Sequence, residues 1–250
     1  MKQFVTRHYR KEDRRILSPV RLAVISDLHG AQYGEDQREL VGALDREAPH
    51  AVLLLGDIFD HRVIDPQARA LVDALSGSFR AYFIPGNHEY RAGRRIAVDD
   101  LLQSCGIPLL AGRSAELSVG QTRIQLFGIE DGQGGKPKQA RQLADAARQR
   151  TDEVFSILAI HAPQDAESHL RGGFDLMLSG HTHGGQIVIP GLLNGLYVPG
   201  QGLFPKYGGG RYDFGSQTLI ISRGLSQKPR WMPRIGNPPE LCFVTLSPAP

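Results

Sequence analysis

The chain has 250 residues, 29 lysines and arginines against 26 acids, and a hydrophobic fraction of 41%. Such length and apolar content suit one globular domain over 1–250 with a sizeable core. The net charge of +3 falls short of what a dedicated nucleic-acid binder carries on a domain this large, while a pI near 8.9 suits acidic substrates.

The N-terminus is polar and basic (Lys2, Arg7, Arg10, Lys11, Arg14, Arg15) and reads as an extension over 1–19: a solvated tail, or a patch for peripheral contact with an anionic membrane. The first apolar run, 20–25, is too short for a signal-peptide core or a membrane span, so a cytoplasmic protein is expected. Next come three short apolar runs ending in small polar loops: RLAVISD (21–27), AVLLLGD (51–57) and FRAYFIPGN (79–87). They read as strands buried on both faces. Between them, 36–48 places Leu40, Val41, Ala43 and Leu44 on one helical stripe, and Asp65-Pro66 caps a second helix ending near Gly77. Strand, helix, strand implies a parallel sheet.

The segment 116–131 alternates around Gly120-Gln121, which predicts a β-hairpin. Two more buried strands follow in FSILAIH (155–161) and FDLMLSGHTH (174–183), and 218–222 and 241–246 complete a mixed α/β architecture with two sheets. From 190 to 239 the chain is rich in Gly and Pro and reads mostly as loop. Its cations (Lys206, Arg211, Arg223, Lys228, Arg230, Arg234) interleave with Tyr207, Tyr212, Phe214 and Trp231. That mixture fits a cover over substrate or a solvated face. The cysteines, Cys105 and Cys242, form no CxxC pair and are expected to be small buried hydrophobes.

The polar residues fall at telling places. Asp27 and His29, Asp57, Asn87 and His88, His161, and His181 with His183 each sit at or just beyond the C-terminal end of a predicted strand. Sites in open α/β sheets collect outside those ends. A nitrogen and oxygen donor set without thiolate suits Mn, Fe, Zn or Ni and argues against a structural zinc cage or a calcium loop. Seven donors exceed the needs of one catalytic ion and fit two divalent ions sharing a carboxylate, which can clamp an in-line displacement at phosphorus.

In order, SDLHG, GDIFD, GNHE, AIHAP and GHTHGGQ resemble the motifs of the calcineurin-like metallophosphoesterase superfamily, and GHTHGGQ with YVPG, SRGL and PPEL looks most like its small bacterial phosphodiesterase branch. The resemblance implies a two-sheet β-sandwich flanked by helices, in four layers αββα. It implies that Asp27, His29 and His183 hold one metal, that Asn87, His161 and His181 hold the other, and that Asp57 bridges them, with manganese the first expectation. His88 matches the family's catalytic histidine, which faces the scissile phosphate, and Asp60 would orient it.

The expected activity is hydrolysis of phosphodiester or pyrophosphate bonds in a small phosphorylated substrate, with a metal-bridging hydroxide as nucleophile. Monoester hydrolysis or nuclease activity on the same site is the alternative. A scaffold of the same fold without catalysis is the rival of another class. His8, His50, His61 and His169 match no motif, although His61 follows Asp60. The sequence names neither the native metals nor an oligomeric state.

Overall fold

A computed structural model describes residues 3–60, 64–90, 95–131, 135–198, 200–226 and 233–249. His61, Lys228, Arg230 and Trp231 therefore lie outside the described residues. Strands β1 (Val5–Asp13), β2 (Val20–Ile25), β3 (Ala51–Leu55), β4 (Ala81–Ile84) and β15 (Glu240–Pro248) make one sheet, in the order β1-β15-β2-β3-β4. The second sheet orders β13 (Gly210–Phe214), β14 (Gln217–Ile221), β8 (Leu176–Ser179), β7 (Phe155–Ile160), β6 (Thr122–Ile129) and β5 (Arg113–Val119). The central pairings β2·β3, β3·β4, β6·β7 and β7·β8 are parallel.

The two-residue period of a strand sends alternate side chains to opposite faces, and here both faces are apolar. Leu22 and Val24 of β2 and Leu53 and Leu55 of β3 point between the sheets, where they meet Ile124, Leu126, Ile157 and Leu178. Ala23, Ile25, Val52 and Leu54 face outward onto α1 (Arg38–Glu47), α2 (Pro66–Leu75) and α3 (Arg95–Ser104) through Leu40, Leu44, Leu71, Val98 and Leu102. On the far side Leu158, Ile160 and Met177 meet Ala146 of α4 (Gly135–Gln149) and Ala166 and Leu170 of α5 (Ala166–Leu170). The result is the expected four-layer αββα sandwich. Asp65 caps α2, accepting from the Gln67 amide, with Pro66 in the first turn.

Three expectations change. Residues 5–13 are not a free tail: they pair in parallel with β15 from Val5↔Glu240 to Asp13↔Pro248. An exposed edge strand tolerates this basic, alternating composition, so its pattern reads as tail. In and beside 190–239, β13 pairs antiparallel with β14, and short hairpins join β9 (Val188–Ile189) to β10 (Leu193–Asn194) and β11 (Tyr197–Val198) to β12 (Gly202–Leu203). Cys105 is only half-buried, while Cys242 is buried. Among the described residues no helix is long and apolar enough to cross a membrane.

Thr122, at the start of β6, fastens the connection before β2. Its buried hydroxyl accepts from the Leu17 and Ser18 amides at 2.9 and 2.7 Å and donates to the Ser18 carbonyl at 2.9 Å. Thr122→Val keeps the shape and strands all three backbone groups. Its unfolding free energy should fall by about 1 to 3 kcal/mol, measured by denaturant titration with an unchanged m value.

Candidate metal centre

All seven sequence-predicted ligands and His88 lie just past strand ends at one rim. Asp27 and His29 follow β2, Asp57 follows β3, Asn87 and His88 follow β4, His161 follows β7, and His181 and His183 follow β8. Each sheet thus contributes, and the rim closes over the gap between them. Five of these residues hold a left-handed backbone: Asp27 (φ 51°), His29 (φ 47°), Asp57 (φ 52°), His181 (φ 69°) and His183 (φ 49°). Non-glycine residues adopt that conformation at a cost, and such strain gathers at functional sites.

Close approach explains two glycines. A Cβ on Gly56 would lie 2.8 Å from the Gly86 Cα, and one on Gly86 would lie 2.7 Å from the Asp57 amide nitrogen. The turns after β3 and β4 therefore touch only because neither carries a side chain.

Asp57 is the hub. Its Oδ2 lies 3.3 Å from His161 Nε2, 3.6 Å from His29 Nε2 and 3.9 Å from His88 Nε2, while its Oδ1 accepts from the His88 amide at 2.9 Å. Asp27 Oδ1 lies 3.6 Å from His183 Nε2 and 3.8 Å from His161 Nε2. Among the described residues three triads have ligand atoms within 4.8 Å of one another: Asp27, His29 and His183; His29, Asp57 and His88; Asp57, His161 and His181. Asp57 belongs to two of them.

The surroundings fix which ring nitrogen faces inward. His161 Nδ1 donates to the Leu55 carbonyl at 2.9 Å, and His29 Nδ1 and His88 Nδ1 reach Asp60 Oδ1 at 3.3 and 3.0 Å. In each ring Nε2 is left facing Asp57, the arrangement that outer carboxylates and carbonyls impose on metal-binding histidines. One oxygen of Asp60 thus meets the outer nitrogens of both His88 and His29.

Charge is finely divided here. Burial opposes charge on both Asp57 and His161, but their mutual attraction prevails, holding Asp57 well below the usual carboxylate range and His161 well above the usual imidazole range. Burial, then the charge of His161, pushes His181 down to about 4. Burial, followed by His29 and Arg234, holds His183 well below its ordinary value. Neutral imidazoles are the form that coordinates metals.

The residues fit divalent cations on a further observation. Asn87 Oδ1 and His183 Nδ1 are buried with no hydrogen-bond partner, and a buried acceptor left bare is costly unless something absent from the protein meets it. A cation near Asn87 Oδ1 would do so.

Sequence reasoning quoted GNHE without giving Glu89 a part. Its carboxylate is buried and accepts from four backbone amides: Asp57 at 3.0 Å, Ile58 at 2.8 Å, Phe59 at 3.2 Å and Gly86 at 2.8 Å. Burial and the nearby Asp57 charge push Glu89 up to about 7. It is the peg that ties the β3 turn to the β4 turn, and its adjacency to His88 is the one signal the sequence held. Of the unassigned histidines, His8 stacks on Phe243, His50 Nδ1 accepts from the Arg21 amide, and His169 is buried with Nδ1 unpartnered. None lies in a triad.

A profile of calcineurin-like phosphoesterases matches residues 20–185. The chain is 28% identical over 236 residues to the metallophosphoesterase YkuE of Bacillus subtilis, covering 90% of this chain and 78% of that protein. It is 24% identical over 237 residues to the phosphodiesterase YaeI of Escherichia coli, covering 92% and 83%. Among solved structures, the phosphopantetheinyl hydrolase PptH of Mycobacterium tuberculosis superposes with a TM-score of 0.52 at 12% identity, over 80% of this chain and 87% of that one. The calcineurin-like phosphoesterase YfkN of Bacillus subtilis gives 0.51 at 11%, over 82% and 81%. Such distant likeness speaks for the fold alone, whereas the profile spans every strand exit that carries a ligand: the chain belongs to the calcineurin-like phosphoesterase family.

Proposed function

We propose that the protein hydrolyses phosphodiester or pyrophosphate bonds in a small phosphorylated substrate at a centre of two divalent metal ions. The observation that carries this reading is the placement of Asp57, whose carboxylate is shared by two of the three donor triads. Asp27, His29 and His183 would hold one ion, Asn87, His161 and His181 the other, and Asp57 both. Manganese suits this oxygen and nitrogen set, as do iron, zinc and nickel. Two bound cations would draw charge from the phosphoryl oxygens and make water acidic enough to attack phosphorus near neutral pH.

The chain's own residues do the rest. The carbonyl of Leu55 and the carboxylate of Asp60 lock the ligand rings before substrate arrives. His88 has its Nδ1 proton engaged by Asp60, so Nε2 is the atom that offers a proton to the leaving oxygen. The intact set of ligand positions favours catalysis over a scaffold role, and the name of YaeI favours a diester over a monoester. Peripheral membrane contact through Arg7 and Arg10 of β1 would leave this chemistry unchanged.

Asp57→Ala should release both ions, because one carboxylate serves each. Metal analysis of the purified variant checks this, and retention of a single equivalent would assign the bridge elsewhere. His88→Ala should keep the metal content and lose about 10² to 10⁴ in rate on a diester with a poor leaving group. With a good leaving group the loss should shrink. Loss of metal from the His88 variant would make it a ligand rather than an acid.

A further inference from the structure

Among the described residues, two of the cations expected to cover the substrate are spent on partners. Lys206 pairs with Glu167, and Arg211 grips Asp213 with Nε and Nη2 at 2.9 to 3.0 Å. Arg234 differs. Its Nη2 donates to the Arg223 carbonyl at 2.7 Å, while Nε and Nη1 are buried with no partner. Burial pushes the guanidinium down to about 10, against the pull of Asp27, Tyr33 and Glu240. The Arg223 carbonyl it meets leads into Gly224, where an added Cβ would lie 2.6 Å from the Asp27 Cβ. A guanidinium remains charged at neutral pH, so this is a half-buried cation on the Asp27 side of the centre with two donors bare.

Its position is built in. The next residue, Ile235, donates to the Gln186 carbonyl at 3.0 Å and accepts from the Val188 amide at 2.9 Å. Asn237 Nδ2 donates to the carbonyls of His183 at 2.8 Å and Gln186 at 3.2 Å. The segment that follows Arg234 is thus laced to the loop that carries His183, and its backbone keeps a fixed register with that loop.

Without metal, Asp27 partly offsets Arg234. Once a divalent cation neutralises Asp27, Glu240 still pulls on the guanidinium, but its two bare donors stay unmet, the state that an incoming anion relieves. We propose that Arg234 is a substrate-binding residue that receives a non-bridging oxygen of the phosphoryl group on the Asp27, His29, His183 side of the centre. This rests on the metal-dependent reading above. Arg7, Arg223 and Asn194 line a cavity of about 450 Å³ together with Asn237, whose side chain meets the His183 carbonyl, and the rest of the substrate would lie there.

The test compares wild type, Arg234→Gln and Arg234→Lys in the manganese-loaded protein, using inorganic phosphate as probe. Calorimetry reads phosphate binding without any turnover, and metal analysis runs alongside. Arg234→Gln should keep its metal and bind phosphate about 10- to 100-fold more weakly, the range for hydrogen bonds to a charged group. Arg234→Lys should recover part of the loss, and KM for a minimal diester should rise more than kcat falls. Unchanged phosphate affinity in Arg234→Gln overturns the proposal. So does loss of metal in that variant, which would make Arg234 a support for Asp27. If wild type binds phosphate through Arg234 yet hydrolyses nothing, the proposed function fails and the binding site stands.

Discussion

The constraint on which the rest depends is the burial of the Asp57 carboxylate among three imidazoles. A charge in that position is tolerable only if every neighbour is fixed, and the sandwich supplies the fixing from both sides. His161 arrives from one sheet with its outer nitrogen tied to Leu55 of the other. His29 and His88 arrive with their outer nitrogens on a single oxygen of Asp60. Each tie removes a rotamer, so the entropy of ordering the site is spent on folding rather than on binding.

Glu89 plays the same part for the backbone. Left-handed residues such as Asp57 persist only where the surroundings over-determine them. Four amides converging on one carboxylate do that for the β3 and β4 turns, and the Gly56 and Gly86 contact lets the turns approach. A centre whose ligands come from strand exits of two sheets, rather than from one flexible loop, is pre-set at the cost of local strain.

The central strands and the donor residues at their exits were legible because their signal is local: an apolar run, then a donor within a few residues. The edge strand β1 was not, since its partner β15 lies some 235 positions on and an exposed edge needs no apolar pattern. β13 was hidden by Gly208, Gly209 and Gly210, which advertise a loop although the following residues pair with β14. The double duty of Asp60 was half legible: its link to His88 follows from the motif, but its link to His29 depends on how β2 and β3 pair. Arg234 stood in a run of cations, and only the structure separates it from Lys206 and Arg211 by showing which of them keeps bare donors.

The division between core and rim also shapes how the molecule would respond to binding the proposed ions. The apolar layer between the sheets, from Leu22 and Leu53 to Ile157 and Ile220, does not involve the metal ligands. The rim, by contrast, gathers Asp27, Asp57 and four histidines in one place, where unlike charges attract and like charges repel at close range. Binding free energy from cations at the rim adds to native stability by mass action, about 2.7 kcal/mol per site at a hundredfold excess over Kd. Hydrophobic burial between the sheets would therefore hold their order while cations at the proposed centre added their binding free energy at the strand exits. That separation lets one sandwich carry a strained, highly charged centre without resting its fold on it.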